Sequence, residues 1–275
     1  MTQPNWKDLV LPKGNEDLLY EFFHENSKIG RHTQNPPLSD VRDQLEHLHP
    51  SLLYEGYPRI DLPSSSVIPD ISLFRVMESR ISIRSFTYST LSLKDLAVIL
   101  HYSYGVTRAC DETHLPRGFR MVPSGGGLYP LEIYLHTAQL ENTQPGLFHY
   151  NPEHNSLRQV RAGNATQEIS QAMVQPEIGL KASVLIFITA FFERSTFKYQ
   201  DRGYRFILIE AGHVAQNLNL VSNALGYGSV NIGGFFDREI DDLLGLDGVT
   251  HSTMYMIAIG KQSFDTETDP GPLEH

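Results

Sequence analysis

Cysteine is almost missing from this chain: Cys110 is the one thiol in 275 residues. A lone thiol excludes an intrachain disulfide framework, a four-thiolate zinc site and a thioredoxin-type CxxC pair. Basic charge is also in deficit, 22 Lys and Arg against 32 Asp and Glu for a formal charge of −10. That balance argues against a nucleic-acid backbone or an anionic membrane surface as the main partner. No uninterrupted apolar run approaches the ~20 residues that span a bilayer, and the first ten residues lack the basic-then-apolar order of a signal peptide. The expectation is a soluble, cytoplasmic protein. GxxxxGK[ST], GxSxG and HExxH are all absent. The twelve histidines are scattered, and the closest pair, His47 and His49, has no carboxylate or thiolate companion of metal type, so no metal is expected. Gly226-Tyr227-Gly228 follows a helical pattern and lacks a third glycine, which removes the Rossmann dinucleotide reading.

The hydrophobic share of 40%, with 21 glycines and 16 prolines, is ordinary globular usage and enough for a core. Asn15 is placed to cap a short helix through Leu18, Leu19, Phe22 and Phe23. Residues 31–68 carry Pro36, Pro37, Pro50, Pro58, Pro63 and a serine run at 64–66, which predicts an extended wrapping arm. Ile71, Phe74 and Met77 mark a helix ending near Arg80, and Ser92 with Asp95 opens another whose buried stripe is Leu93, Leu96, Ile99 and Leu100. Residues 131–138, a hairpin at 148–150 and 157–160, and the apolar run 182–192 read as strands of one sheet, the last at its centre. Residues 204–225 form the longest helical pattern, with two apolar seams that predict burial on more than one face. A glycine-punctuated strand at 226–234, a helix capped by Asp237 and an alternating strand at 253–259 follow. The fold class is α+β, a mixed or antiparallel sheet flanked by helices, divided into an arm over 1–70, one catalytic domain over 71–262 and an acidic tail over 263–275. The closing Leu273-Glu274-His275 reads as the start of an expression-tag remnant.

Three segments carry chemistry. In RISIRSF at 80–86, residues two apart share a side of an extended chain, so Arg80, Ser82 and Arg84 project two cations and a hydroxyl together. That is a phosphate grip or a solvated basic edge. In PSGGGLYP at 123–130, three glycines expose backbone N–H groups and admit a flat or anionic ligand between two prolines, although glycine-rich turns are common. FKYQDRGYR at 197–205 packs one Lys, two Tyr and two Arg just upstream of the long helix. It is either a source of a catalytic base or a solvated charged loop.

Taken together these segments, with FHENSK at 23–28, IEAGHVAQNLNLVSNALGYG at 209–228 and IGGFFD at 232–237, resemble the nitroreductase-like flavoprotein superfamily. Within it they are most similar to the SagB-type azoline dehydrogenases. The resemblance runs from about Phe74 to Lys261 and implies a nitroreductase-like fold with FMN at a homodimer interface. It puts Arg80, Ser82 and Arg84 on the flavin phosphate and ribityl grip, and Pro123, Ser124, Gly125 and Gly126 on the loop over the cofactor. Gly233 and Gly234 fall on the strand passing the ring system, and Lys198 and Tyr199 on the catalytic pair. Lys261 falls on a phosphate-ligand position, with no Lys or Arg after it in the tail, and Ile81 stands where relatives often carry a second basic residue. The implied reaction converts a thiazoline or oxazoline to the azole, one hydrogen leaving as a proton to Lys198 or Tyr199 and one as hydride to the flavin. Neighbours on a helix point about 100° apart, so one of the pair is expected to face the substrate. The substrate would be an azoline-containing peptide, made by a cyclodehydratase or held on a nonribosomal peptide synthetase carrier. The alternatives are an NAD(P)H-dependent nitroreductase or flavin reductase, and a flavin-free scaffold subunit docking through the proline-rich arm.

Overall fold

The computed structural model describes residues 19–33, 36–64, 68–108 and 118–263. Asn15, Leu18, the serines at 65 and 66, Cys110 and the tail from 264, including Leu273 to His275, lie outside the described residues. In chain order the first elements are α1 (Leu19–Asn26), α2 (Leu38–His47), β1 (Arg59–Asp61), α3 (Leu73–Ser79), β2 (Phe86–Thr87) and α4 (Leu93–Tyr104). A small hairpin, β3 (Val106–Arg108) and β4 (Phe119–Arg120), leads to β5 (Leu131–Thr137), β6 (Gly146–Asn151) and β7 (Ser156–Ala162). Then come α5 (Thr166–Gln171), α6 (Pro176–Leu180), β8 (Val184–Phe191), α7 (Glu193–Tyr199), α8 (Asp201–Ala224), β9 (Gly228–Ile232), α9 (Asp237–Leu244) and β10 (His251–Gln262).

Eight strands form the main sheet in the order β1-β7-β6-β5-β8-β10-β2, with β9 also paired to β10. Every ladder in it is antiparallel, and among the described residues two isolated parallel bridges, Ser82 to Ser229 and Leu91 to Leu140, lie outside these ladders. β8 sits between β5 and β10 as its unbroken apolar run predicts, because a central strand is buried on both faces. The pleat divides it: Val184, Ile186 and Ile188 join one core with Leu131, Ile133 and Leu135, beneath α4 and α8. Leu185 and Phe187 join the other with Tyr134, Met256 and Ala258, against α5, α6 and α9. At ~1.5–3 kcal/mol for each large apolar side chain buried, these two layers dominate the stability of the sheet.

Helix starts follow the sequence at α4, where the Ser92 hydroxyl accepts the Asp95 N–H at 3.0 Å, and at α3, where Ser72 accepts from Arg75. Three expectations are corrected. The arm is not merely extended: α2 forms within it, and β1 adds an edge strand to β7. Asp237 does not cap α9; it lies in the first turn, where a carboxylate suits the positive end of the helix dipole. α8 buries one stripe, through Ile207, Ala211, Val214, Ala215 and Leu218, while Leu208 and Ile209 face outward.

Candidate active site

The glycine loop and the FKY segment meet. Residues Gly125–Gly127 make a tight 3-10 turn in which Gly126 takes φ +65° and Gly127 φ +66°, values that glycine adopts without steric cost. A Cβ built on Gly126 would strike the Tyr199 hydroxyl and lie 2.9 Å from Lys198 Nζ. One on Gly125 would press the Phe206 ring at 3.1 Å, and Phe206 in turn meets the edge of Tyr199 at 5.0 Å. The two polar ends therefore converge on one glycine. Tyr199 is the last residue of α7 and Lys198 is long and flexible, so both reach back over the loop.

What fixes α7 is a buried ion pair that sequence reasoning missed. Arg194, in its first turn, donates to Glu132 Oε1 at 2.6 Å, and both are buried. The same carboxylate accepts the Leu52 N–H and the Ser51 hydroxyl, each at 3.0 Å, and bonds His149 Nε2 at 2.6 Å. Burial alone would raise the Glu132 pKa, but Arg194 and His149 hold it well below the usual carboxylate range. One side chain thus ties the arm to the helix that carries Lys198 and Tyr199. The signal was legible: Glu132 is a lone charge in the otherwise apolar start of β5.

A second missed carboxyl lies beneath the glycine loop. Glu210, on the buried stripe of α8, accepts the Tyr104 hydroxyl at 3.1 Å and a hydrogen bond from Ser124, while its Oε2 has no partner among the described residues. Burial pushes its pKa up to about 7, the two hydrogen bonds only partly offsetting this. The Ser124 hydroxyl also accepts the Tyr129 N–H at 2.9 Å, so Ser124 links loop to helix. Across the front of this cluster lies the FHENSK segment. Arg205 donates to the buried Ser27 hydroxyl at 2.8 Å, Arg202 to the Ser27 carbonyl at 3.2 Å, and Phe23 meets Tyr204 edge-on at 5.4 Å.

The remaining predicted residues are elsewhere. Arg80 directly follows α3, whose end is bound to the C-terminal turn of α8 through Asn223 Nδ2 to the Val76 carbonyl at 2.9 Å and Ser79 Oγ at 2.8 Å. Ser82 bridges Ser229, whose hydroxyl donates to Asn219. Arg80 is half-buried, Arg84 is exposed, and neither guanidinium has a partner among the described residues. Lys261 is at the same end of the molecule, but its ammonium donates to the Gly226 carbonyl at 2.9 Å and stands 3.9 Å over the Tyr227 ring. Gly233 and Gly234 follow β9, with Gly234 against Val174 and Gly233 facing Tyr255. From Phe206, beside the glycine loop, to Asn223, beside Arg80, α8 advances 17 residues, about 25 Å at ~1.5 Å per residue. The chain therefore places the basic segment and the Lys198–Tyr199 cluster at opposite ends of α8.

Among the described residues no group of His, Cys, Asp and Glu could hold a metal ion, and no helix is long and apolar enough to cross a membrane. The sequence profile described as Nitroreductase family matches residues 77–261. The nitroreductase candidate MJ1384 of Methanocaldococcus jannaschii is 38% identical over 185 residues, covering 67% of this chain and 88% of that protein. The microcin B17-processing protein McbC of Escherichia coli is 31% identical over 153 residues, 53% of this chain and 56% of McbC. Among solved structures, a nitroreductase candidate from Anabaena variabilis superposes with a TM-score of 0.70 at 23% identity, over 92% of this chain but 49% of that one. A chain of the E. coli microcin synthetase McbBCD complex, solved with truncated pro-MccB17 bound, gives 0.58 at 25% identity over 89% of this chain and 92% of its own length.

Proposed function

The chain belongs to the nitroreductase family of oxidoreductases, and on that premise we propose that it is an FMN-dependent azoline dehydrogenase acting on a ring-bearing peptide. The observation that carries the reading is the convergence of Lys198 Nζ and the Tyr199 hydroxyl on Gly126, where any side chain would fill the space between loop and pair. A proton-accepting pair poised over a glycine cradle suits oxidation of a ring by removal of a proton and a hydride. The likeness to McbC, which processes a microcin peptide, points the same way.

The residues fit a flavin nucleotide. The Gly125–Gly127 turn presents backbone without side chains, and Arg80 and Arg84 are cations with no partner among the described residues, free to meet a phosphate. In this reading Arg80, Ser82 and Arg84 hold the phosphate end, with Lys261 lending its remaining two N–H donors, and Pro123, Ser124, Gly125, Gly126, Gly233 and Gly234 border the ring. FMN, when bound, supplies the hydride acceptor. Lys198 or Tyr199 takes the proton from the acidic ring carbon, and the other member holds the charge that develops. Arg194 and Glu132 keep α7 at the height where both groups reach the ring.

The 25 Å separation along α8 supports a site built from two copies, the phosphate end from one and the glycine loop with its Lys–Tyr pair from the other. Exposed Leu73, Phe74 and Met77 on α3, and Leu208 and Ile209 on α8, offer apolar surface for such a homodimer. The peptide would come from a cyclodehydratase or a carrier domain. Anaerobic mixing of the purified protein with a thiazoline-containing peptide tests the reading. Bleaching of the flavin absorption by the peptide and not by NAD(P)H is the expected result; rapid bleaching by NAD(P)H alone would establish a nitroreductase or flavin reductase instead.

A further inference from the structure

Gln200 stands between Tyr199, the end of α7, and Asp201, the start of α8, with φ +49° and ψ −140°. This is a left-handed conformation that glycine adopts freely and that costs a residue with a side chain ~1–3 kcal/mol. The backbone there has two tasks. Its N–H closes α7 on the Thr196 carbonyl at 2.7 Å, and its carbonyl accepts the Gly203 N–H at 2.9 Å. Neither needs a side chain. Although Gln200 occupies the N-cap position of α8, its side chain makes no capping hydrogen bond, and it has no other partner among the described residues. It is exposed and lines a small pocket of about 60 Å³ with Ser27, Lys28, Lys198, Tyr199 and Arg202. The pocket lies between the FHENSK segment and the Lys–Tyr pair.

We propose that Gln200 is a substrate-binding residue whose side-chain amide pairs with a peptide bond adjacent to the azoline ring. A primary amide presents a carbonyl acceptor and N–H donors side by side, the complement of a peptide bond's own N–H and C=O. Gln200 lines the pocket immediately after the residue that reaches over Gly126, so ring and flanking backbone would be read by consecutive side chains. The inference rests on the azoline-dehydrogenase reading and adds where the peptide is held.

The test uses the full-length flavin-loaded protein and a fluorescein-labelled peptide carrying one thiazole flanked by glycines, with fluorescence anisotropy for affinity and thermal unfolding for stability. Gln200→Ala removes the amide and keeps the backbone strain; Gln200→Gly removes both. Both variants are expected to bind the peptide about three- to tenfold more weakly, the range of one to two ordinary hydrogen bonds, while only Gln200→Gly melts higher than the wild type. Unchanged affinity in both variants, in a protein that oxidises thiazoline peptides, would overturn this inference alone. A wild type that neither binds nor oxidises such peptides would overturn the functional reading and this inference with it.

Discussion

Gly126→Ala is the most pointed test of the site's geometry. The added Cβ meets the Tyr199 hydroxyl and comes within 2.9 Å of Lys198 Nζ, and Ala must adopt φ +65°. The backbone term costs ~1–2 kcal/mol for an L-residue in the left-handed region, which for a chain of this size lowers the melting midpoint by roughly 2–6 °C. The steric term falls on chemistry: moving the pair by about 1 Å is enough to cost on the order of 100-fold in turnover. Gly125→Ala serves as the control, because its Cβ meets only the Phe206 ring at 3.1–3.4 Å and its φ is not positive. The assay is steady-state oxidation of a thiazoline peptide, beside thermal unfolding and the flavin absorption spectrum. The expected outcome is a loss of kcat of about 100-fold in Gly126→Ala with flavin retained, and a loss of less than about tenfold in Gly125→Ala. If Gly126→Ala melts lower yet keeps kcat within about twofold of wild type, the loop does not press on a working pair and the site is misassigned.

Glu132→Gln should be strongly destabilising, by ~3–5 kcal/mol, since it leaves buried Arg194 without its counter-charge; chemical denaturation at neutral pH measures it. Glu210→Gln should do the reverse in a pH-dependent way. The native carboxyl has a pKa of about 7 against 4.5 unfolded, so the wild type loses stability as pH rises between these values, by roughly 3 kcal/mol in all. The variant, which has no proton to lose, should therefore gain on the wild type from pH 4.5 to pH 8, and parallel denaturation curves across that range would contradict the assignment. Arg80→Gln and Arg84→Gln should each weaken FMN retention ~10- to 100-fold, the scale of a lost charge-assisted hydrogen bond, as read by flavin release on dilution.

Local chemistry made much of this architecture legible. Ser92 with Asp95, the apolar run of β8 and the hairpin segments at 148–150 and 157–160 are signals carried within a few residues, and α4, β8 and the β6–β7 hairpin follow them. The candidate site was legible as pieces. PSGGG and FKY were visible as motifs, but their meeting at Gly126 depends on a close approach between residues more than 70 positions apart, which no local pattern encodes. Glu132 and Glu210 each stand out locally as one charge in an apolar segment, but what each does depends on the long-range partners Arg194, His149 and Tyr104, which no local pattern encodes. The arm was misread for a related reason. Its prolines break regular structure at 36, 37, 50, 58 and 63, but between Pro37 and Pro50 there is room for the ten residues of α2, and after Pro58 for the three of β1.

The separation of Arg80 from Lys198 along α8 also reinterprets the acidic composition. A chain with a net charge of −10 leaves Arg80 and Arg84 without partners among the described residues, which on the proposed reading reserves them for the flavin phosphate.

Mass spectrometry of a thiazoline-containing peptide after incubation with the flavin-loaded protein in air bears most directly on the proposed chemistry. The wild type should convert the peptide to a species lighter by two hydrogens per ring, and Lys198→Ala combined with Tyr199→Phe should leave its mass unchanged while retaining flavin and fold. Conversion by the double variant at the wild-type rate, or no conversion by a wild type that NAD(P)H reduces rapidly, would contradict it.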